Sequence, residues 1–311
     1  MHIGIVPSIR GAEYSYSAGS RAYALIRNIS FCSLYKEGVQ YDAVLLQKVF
    51  DCRLIRRIKA AGAKCIVDTC NFKERTPGET KALLDTDVVT VPTETMRNYI
   101  RSKHLVKPIH TAPDVHEYSM DWPLAAPAAR TVVVPGTYYN VLRVKGLHSV
   151  LEGADKVVIV TNPEKKYQDL AERELRPIFR DQLEIRSWTW DTLASSLMDA
   201  AVALVLYRTS EEARYKSCNR TSLALHMGIP VVTEDNPEVR ELSVGTGGVF
   251  FYDAACGNES IRGAIDKAFV CSGRWATGTH KECVRTYVKE CKYGMTAAAE
   301  TWTGIFQRYF N

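Results

Sequence analysis

The chain has 311 residues, of which 46% are hydrophobic and 24% charged. This apolar content is enough for one or two buried cores and excludes an intrinsically disordered chain. The formal net charge of +5 is spread along the sequence, so it permits anionic ligands without indicating a dedicated nucleic-acid binder. The length favours two domains of about 150 residues each.

The first residues, MHIGIVPSIRG, lack the apolar core and cleavage site of a secretory signal, and no run reaches the roughly 18 apolar residues of a membrane span. We therefore expect a cytoplasmic protein with no integral membrane segment. The nine cysteines form an odd set without a C-x-x-C pair. This pattern favours reduced thiols over disulfides or a structural zinc site.

Short runs rich in Val and Ile alternate with longer amphipathic stretches through the first half of the chain. Strands are predicted at HIGIVPS, DAVLLQ, KCIVDT and VVTVP, with helices between them at AGSRAYALIRN, RLIRRIKAAG and TETMRNYIRSK. This is the βαβα order of a parallel sheet with helices on both faces. A Pro- and Ala-rich stretch at 121–130, DWPLAAPAAR, then indicates a connection between domains.

The same alternation restarts after this connection. Strands are predicted at TVVVPG, KVVIVTN, LEIRSW, VALVLY, IPVVTE and GGVFFY, and three helices close the chain. We expect an N-terminal domain at 1–125, a second domain at 126–295 and a C-terminal helix at 296–311 that docks back on the N-terminal domain. The expected fold class is α/β, with two Rossmann-like doubly wound domains and a ligand cleft between them.

Residues 214–242, RYKSCNRTSLALHMGIPVVTEDNPEVREL, carry the most chemical information. Lys216, Ser217, Asn219 and Arg220 stand at the start of a predicted helix that ends before a strand. A helix N-terminus presents free N–H groups and a positive dipole, and two cations beside it suit a pyrophosphate. The alternative is that Ser217 or Asn219 only caps the helix.

The order K-S-x-N-R, a helix, G-I-P-V-V and an acidic stretch resembles the donor-binding core of GT-B-fold glycosyltransferases of the group 1 (GT4-like) class. Other segments resemble the same class in the same order over most of the chain: VDTCN (67–71), LLDTDVVTVPTETMRNYI (83–100), APDVHEY (112–118), VVVPGTYYN (132–140) and the stretch 184–207. The resemblance implies a hexosyl- or pentosyltransferase that uses a UDP- or GDP-sugar as co-substrate and no other cofactor.

The resemblance also assigns roles in binding the donor diphosphate. Lys216 and Arg220 would neutralise its charge, and Ser217 and Asn219 would bond its oxygens. Gly136 would let the backbone approach the phosphate or the sugar, a role that needs a residue without Cβ.

Three residues are candidates for binding the nucleoside or the sugar: Trp190, Glu238 and Glu241. Trp190 is equally well explained as a core aromatic at a helix start. Many members of the class carry a helix glutamate where this chain has Leu223, so the choice between Glu238 and Glu241 stays open.

A metal-using glycosyltransferase would need a D-x-D motif, which Asp85-Thr86-Asp87 matches formally. These residues stand between a predicted helix and a strand, where two solvated carboxylates are common. Because Lys216 and Arg220 could stabilise the leaving phosphate on their own, we expect a metal-independent site.

The first half offers candidates for the acceptor side. Asp68 ends a predicted strand and is the best candidate for a general base or an acceptor-orienting group, although it could equally cap the next turn. His110 and Asp114 are weaker alternatives. The start of the first helix is a candidate acceptor-side loop or a plain capped start; its residues are Ser17, Gly19, Ser20 and Arg21.

Two acceptor classes stay open. One is a surface glycan or lipid-linked sugar, which group 1 enzymes often use. The other is a hydroxymethylated base in DNA, which compact phage enzymes of the GT-B fold glycosylate and which would have to be extruded from the duplex. There are two alternatives to a glycosyltransferase. The non-catalytic alternative is a nucleotide-sugar-binding module that has lost activity, and the enzymatic alternative is a nucleotide-sugar epimerase. The oligomeric state is open.

A DNA acceptor has a consequence that binding measurements test. Two basic runs could contact phosphates: Arg53, Arg56, Arg57 and Lys59, and Arg97, Arg101, Lys103 and Lys107. If DNA is bound through them, log affinity should fall with log salt with a slope of several units, because each neutralised phosphate releases counterions. A flat response, or no binding at about 50 mM salt, returns the acceptor to the carbohydrate class.

Overall fold

The computed structural model describes residues 1–8, 19–69, 76–104, 108–114, 123–126, 129–275, 279–291 and 294–310. Ser17 lies outside these ranges. The chain divides into two compact units. The first comprises Met1–Glu117, Tyr215–Ser217 and Glu290–Asn311, and the second comprises Tyr118–Arg214 and Cys218–Lys289.

The first unit contains a parallel six-stranded sheet. Its strands are β1 (Ile3–Val6), β2 (Cys32–Leu34), β3 (Ala43–Gln47), β4 (Lys64–Asp68), β5 (Val88–Val91) and β6 (Ile109–Thr111). Their order is β2-β1-β3-β4-β5-β6. The four predicted strands are all present. The two additional strands, β2 and β6, have three residues each, too few to show a hydrophobic pattern.

The second unit contains another parallel six-stranded sheet. Its strands are β7 (Thr131–Pro135), β8 (Lys156–Thr161), β9 (Leu183–Ser187), β10 (Val202–Val205), β11 (Val231–Glu234) and β12 (Val249–Tyr252). The order β12-β11-β10-β7-β8-β9 places β10 beside β7. All six strands were predicted. The α/β class with two Rossmann-like domains is confirmed.

Helices connect the strands of both sheets. A π-helical turn (Gly19–Tyr23) leads into α1 (Ala24–Asn28), and α2 (Cys52–Ala60), α3 (Pro77–Asp85) and α4 (Glu94–His104) follow in the first unit. The remaining helices are α5 (Tyr138–Val141), α6 (His148–Leu151), α7 (Lys165–Phe179), α8 (Trp190–Met198), α9 (Ser210–Tyr215), α10 (Asn219–His226), α11 (Pro237–Thr246), α12 (Gly257–Trp275), α13 (Thr279–Glu290) and α14 (Met295–Phe310). Within the described part of the chain, no helix is long and apolar enough to cross a membrane.

Local signals explain several helix starts. Asp51 accepts hydrogen bonds from the backbone N–H groups of Arg53 and Leu54 at the start of α2, and these bonds lower the pKa of the Asp51 carboxyl. Thr76 and Glu79 form a reciprocal capping box at the start of α3. These caps orient the helices that cover the first sheet.

The last helix completes the core of the first unit. Trp302 and Phe306 of α14 are fully buried and pack in one cluster with Ile3 and Ile5 of β1. The indole N–H of Trp302 donates to the carbonyl oxygen of Pro113 at 3.0 Å. Apolar burial of this kind stabilises a fold by roughly 1.5–3 kcal/mol per large side chain, so α14 is a structural part of this unit.

The strand order locates one switch point in the second sheet. From β7 the chain runs outward through β8 and β9, and then returns to place β10 on the other side of β7. The connections after β7 and β10 therefore leave in opposite directions from neighbouring strands. Open α/β sheets bind ligands at the carboxyl ends of such strand pairs.

Candidate functional site

Arg220 lies at the switch point of the second sheet. It is in the first turn of α10, and its Nη1 donates to the carbonyl oxygens of Pro135 at 2.8 Å and Leu206 at 3.1 Å. Pro135 ends β7 and Leu206 directly follows β10. The guanidinium carbon lies 4.9 Å from the centroid of the Tyr207 ring, within the range of a cation–π interaction. One arginine thus spans the carboxyl ends of the two strands.

Gly136 follows β7 directly and lies beside this guanidinium. A Cβ at this position would come within 3.0 Å of Nη1 of Arg220 and 3.3 Å of Cβ of Asn140. Such contacts are tighter than ordinary van der Waals packing, so a side chain here would require the guanidinium of Arg220 to shift by a few tenths of an ångström. The glycine lets a positive charge approach the backbone at the end of β7.

A second arginine at this edge was not predicted from the sequence. Arg143 donates through Nη1 to the carbonyl oxygen of Tyr207 at 2.5 Å and to Oε1 of Glu234 at 2.6 Å. Glu234 is nearly fully buried at the end of β11, and its Oε1 also accepts from the Tyr252 hydroxyl at 3.2 Å. Burial raises the pKa of that phenol, so it stays a neutral donor.

The two arginines bond consecutive carbonyls, those of Leu206 and Tyr207. Each uses only Nη1 for its hydrogen bonds to residues that the structure describes. A guanidinium carries five N–H donors in a planar fork. Donors therefore remain on both side chains for an anionic ligand such as a diphosphate.

The other predicted phosphate-binding residues precede α10 or begin it. Lys216 and Asn219 are half-buried. The hydroxyl of Ser217 donates to Oδ2 of Asp114 at 2.8 Å. Because a serine hydroxyl has one proton to donate, Ser217 cannot bond a phosphate oxygen while this contact is made.

Asp68 lies in a buried network instead of facing solvent. Its Oδ2 accepts from Nε of Arg21 at 2.7 Å, and its Oδ1 accepts from Nη2 of Arg21 at 2.6 Å and from the Thr90 hydroxyl at 2.8 Å. Asp68 is 0% exposed. A base must reach the proton that it removes, so this geometry argues against Asp68 as the general base and favours a role as partner of Arg21.

The remaining acceptor-side candidates also lie in the first unit and contact other residues of that unit. Arg21 is 1% exposed in the π-helical turn that also contains Gly19 and Ser20. Nε2 of His110 lies 2.6 Å from the Tyr309 hydroxyl. Burial, followed by the nearby arginines, lowers the pKa of His110.

The nucleoside and sugar candidates occupy different environments. Glu238 is buried in the first turn of α11, where its N–H donates to Oδ1 of Asn236 at 2.8 Å. Glu241 is exposed one turn later. Trp190 is the first residue of α8. Leu223 is buried in α10, so its apolar side chain packs in the interior.

The residues of the formal D-x-D motif make hydrogen bonds and an ion pair within the first unit. Oδ2 of Asp87 accepts from the backbone N–H of Cys65 at 2.8 Å, and Oδ1 pairs with Lys59 at 3.0 Å. Nζ of Lys59 also donates to the carbonyl oxygen of Asp85 at 3.1 Å. These contacts give the motif a structural explanation.

Several solved structures with a similar fold are glycosyltransferases. A glycosyltransferase from Rickettsia africae matches with a TM-score of 0.68 and 9% identity, over 99% of this chain and 97% of that one. Sucrose-phosphate synthase from Thermosynechococcus elongatus matches with a TM-score of 0.66 and 13% identity, over 87% of this chain and 74% of that one. The pneumococcal O-GlcNAc transferase GtfA, in complex with UDP and GlcNAc, matches with a TM-score of 0.59 and 10% identity, over 95% of this chain.

The chain spans 60% of that GtfA structure. No protein-family model and no curated protein sequence matches the chain. The structural matches show that the chain has the two Rossmann-like domains of GT-B glycosyltransferases.

The buried network around Arg21 generates a stability prediction. Replacing Arg21 with Gln removes the guanidinium that bonds the buried carboxylates of Asp68 and Asp114, which should cost about 3–5 kcal/mol of unfolding free energy. The matched control, Arg53→Gln, changes an exposed arginine of α2 in the same unit and should cost about 0.5 kcal/mol or less. Chemical denaturation of both variants measures the difference; equal losses would show that the network does not stabilise the unit.

Proposed function

We propose that this protein is a glycosyltransferase of the group 1 class that transfers a sugar from a nucleoside diphosphate sugar to a hydroxyl acceptor. The observation that carries the proposal is Arg220, which is fixed across the switch point beside Gly136 and, among the residues that the structure describes, hydrogen-bonds through Nη1 alone. A cation at the carboxyl ends of two parallel strands suits a diphosphate. UDP in the GtfA complex supports a UDP-type donor; a GDP-sugar is the alternative.

The proposed reaction needs positively charged groups beside the leaving diphosphate. The bond between the anomeric carbon and the β-phosphate oxygen breaks, the acceptor oxygen bonds to that carbon, and the hydroxyl proton passes to a base or to water. Negative charge grows on the departing diphosphate, and positively charged donors already in place lower the barrier. Arg220 and Lys216 would supply this stabilisation, with Asn219 as a neutral donor and Arg143 as a further cation. We propose that no divalent metal is required.

For the acceptor, the paired state of the basic helices favours a carbohydrate hydroxyl over DNA. In α2, Arg57 pairs with Glu37 at 2.8 Å and Lys59 pairs with Asp87. In α4, Arg97 pairs with Glu94 at 2.7 Å. Carboxylates of the chain itself therefore compete with DNA phosphates for several of these cations. Of the second run, Lys107 lies outside the described residues.

The donor proposal is tested by turnover. Purified protein should release nucleoside diphosphate slowly from one member of a panel of UDP- and GDP-sugars, and the rate should be unchanged by EDTA because protein cations stabilise the leaving group. Strict dependence on a divalent ion would contradict the metal-free site. Binding by calorimetry without turnover on any acceptor would indicate a non-catalytic module, and conversion of the sugar without an acceptor would indicate an epimerase.

Substitutions test the placement of the donor. Lys216→Ala and Arg220→Ala should each lower kcat by about 10²-fold or more, since each removes a charge-assisted contact that strengthens as the phosphate leaves. The charge-matched controls Lys267→Ala and Arg173→Ala alter exposed residues of α12 and α7 and should keep the normal rate. Near-normal rates in the two site variants, with circular dichroism showing an intact fold, would place the donor elsewhere.

A further inference from the structure

We infer that Asp114 is a positioning residue: held by the buried Arg21, it anchors Ser217 and so fixes the segment Tyr215–Ser217 that precedes α10. The inference rests on the proposed function, because it concerns how Lys216 of the donor site is held. It also changes the role of Ser217 from a phosphate ligand to an anchor.

The network begins at Arg21, whose guanidinium is fixed on several sides. Besides its two bonds to Asp68, Nη1 donates to Oδ1 of Asp114 at 2.5 Å and Nη2 donates to the carbonyl oxygen of Ala112 at 3.0 Å. The guanidinium carbon lies 5.4 Å from the centroid of the Trp302 ring. Bidentate pairing and burial leave this group one geometry.

Asp114 links the fixed guanidinium of Arg21 to Ser217. It is 4% exposed, and its two oxygens have different partners: Oδ1 accepts from Arg21, and Oδ2 accepts from the hydroxyl of Ser217 at 2.8 Å. A carboxylate held through one oxygen presents the other at a defined point. The acceptor of the Ser217 hydroxyl is a carboxylate oxygen, and a hydrogen bond to such a charged acceptor is stronger than one between neutral groups.

The segment has a second anchor at its other end. The Thr93 hydroxyl donates to the carbonyl oxygen of Tyr215 at 3.3 Å, and the ring of Tyr215 lies 5.4 Å from the ring of Tyr99. Lys216 therefore stands between two residues that are each held by the first unit. Holding both neighbours restricts the backbone from which the Lys216 side chain extends.

A double-mutant cycle distinguishes an anchor from a phosphate ligand. As an anchor, Ser217 works only through Asp114, so Ser217→Ala, Asp114→Asn and the double variant should all weaken donor affinity by a similar factor of about 10, the worth of one hydrogen bond to a charged group. If Ser217 instead bonds the phosphate directly, Ser217→Ala should weaken the affinity of the protein for the donor, whereas Asp114→Asn should leave that affinity unchanged. Ser217→Thr keeps a hydroxyl and should restore most of the affinity.

A measurement without nucleotide separates the anchor from the proposed function. Amide hydrogen exchange of the peptide spanning 213–222 should become faster in Ser217→Ala and in Asp114→Asn, whereas the control Asp169→Asn in α7, which alters an exposed carboxylate, should leave it unchanged. Unchanged exchange in Ser217→Ala, or additive losses of affinity in the cycle, would overturn the inference. Faster exchange in a protein that binds no UDP- or GDP-sugar would keep the anchor and reject the proposed function. If Asp114→Asn does not fold, amide exchange in Ser217→Ala and Ser217→Thr still tests the inference, because Ser217 is only half-buried.

Discussion

The switch point of the second sheet depends on one guanidinium that joins two strand ends. At the switch point the polypeptide leaves β7 and β10 in opposite directions, and Arg220 bonds a carbonyl at each strand end. The same residue lies in the first turn of α10, so one side chain sets the helix against the sheet. At the other end of α10, Nε of Arg285 donates to the carbonyl oxygen of His226 at 2.9 Å, where a cation also suits the helix dipole. The helix is thereby fixed at both termini.

The first unit uses a buried arginine in a comparable way. Arg21 reaches Asp68 at the end of β4 and the segment after β6, which lie far apart in the sequence. Placing ions in a protein interior costs desolvation, and apolar replacements are often as stable. The directional bonds nevertheless give these strand ends one arrangement, which apolar packing alone specifies less strictly.

Most of the architecture follows from local patterns, whereas the pairing of charges does not. Runs of Val and Ile predicted ten of the twelve strands, and only the three-residue β2 and β6 were missed. Arg220 and Gly136 were predicted as neighbours of one ligand through the resemblance to a known class, and the structure brings them together. Asp68 was predicted as a general base or an acceptor-orienting group from its place at a strand end, and the sequence did not reveal its guanidinium partner 47 residues earlier. Arg143 was overlooked because its partner Glu234 is 91 residues away. Such pairs depend on topology, and a single sequence shows no periodicity that would reveal them.

The first unit is built from segments that lie far apart in the sequence, and this affects how it folds during synthesis. Its core contains Trp302 and Phe306, and residues 290–311 belong to it together with 1–117. Domains usually fold in the order in which the ribosome releases them. Here the core of the N-terminal sheet stays incomplete until the ribosome has made the helix that packs on it. The second unit ends at Lys289, before that helix, so all of its residues are synthesised first and it can complete its fold before the first unit does.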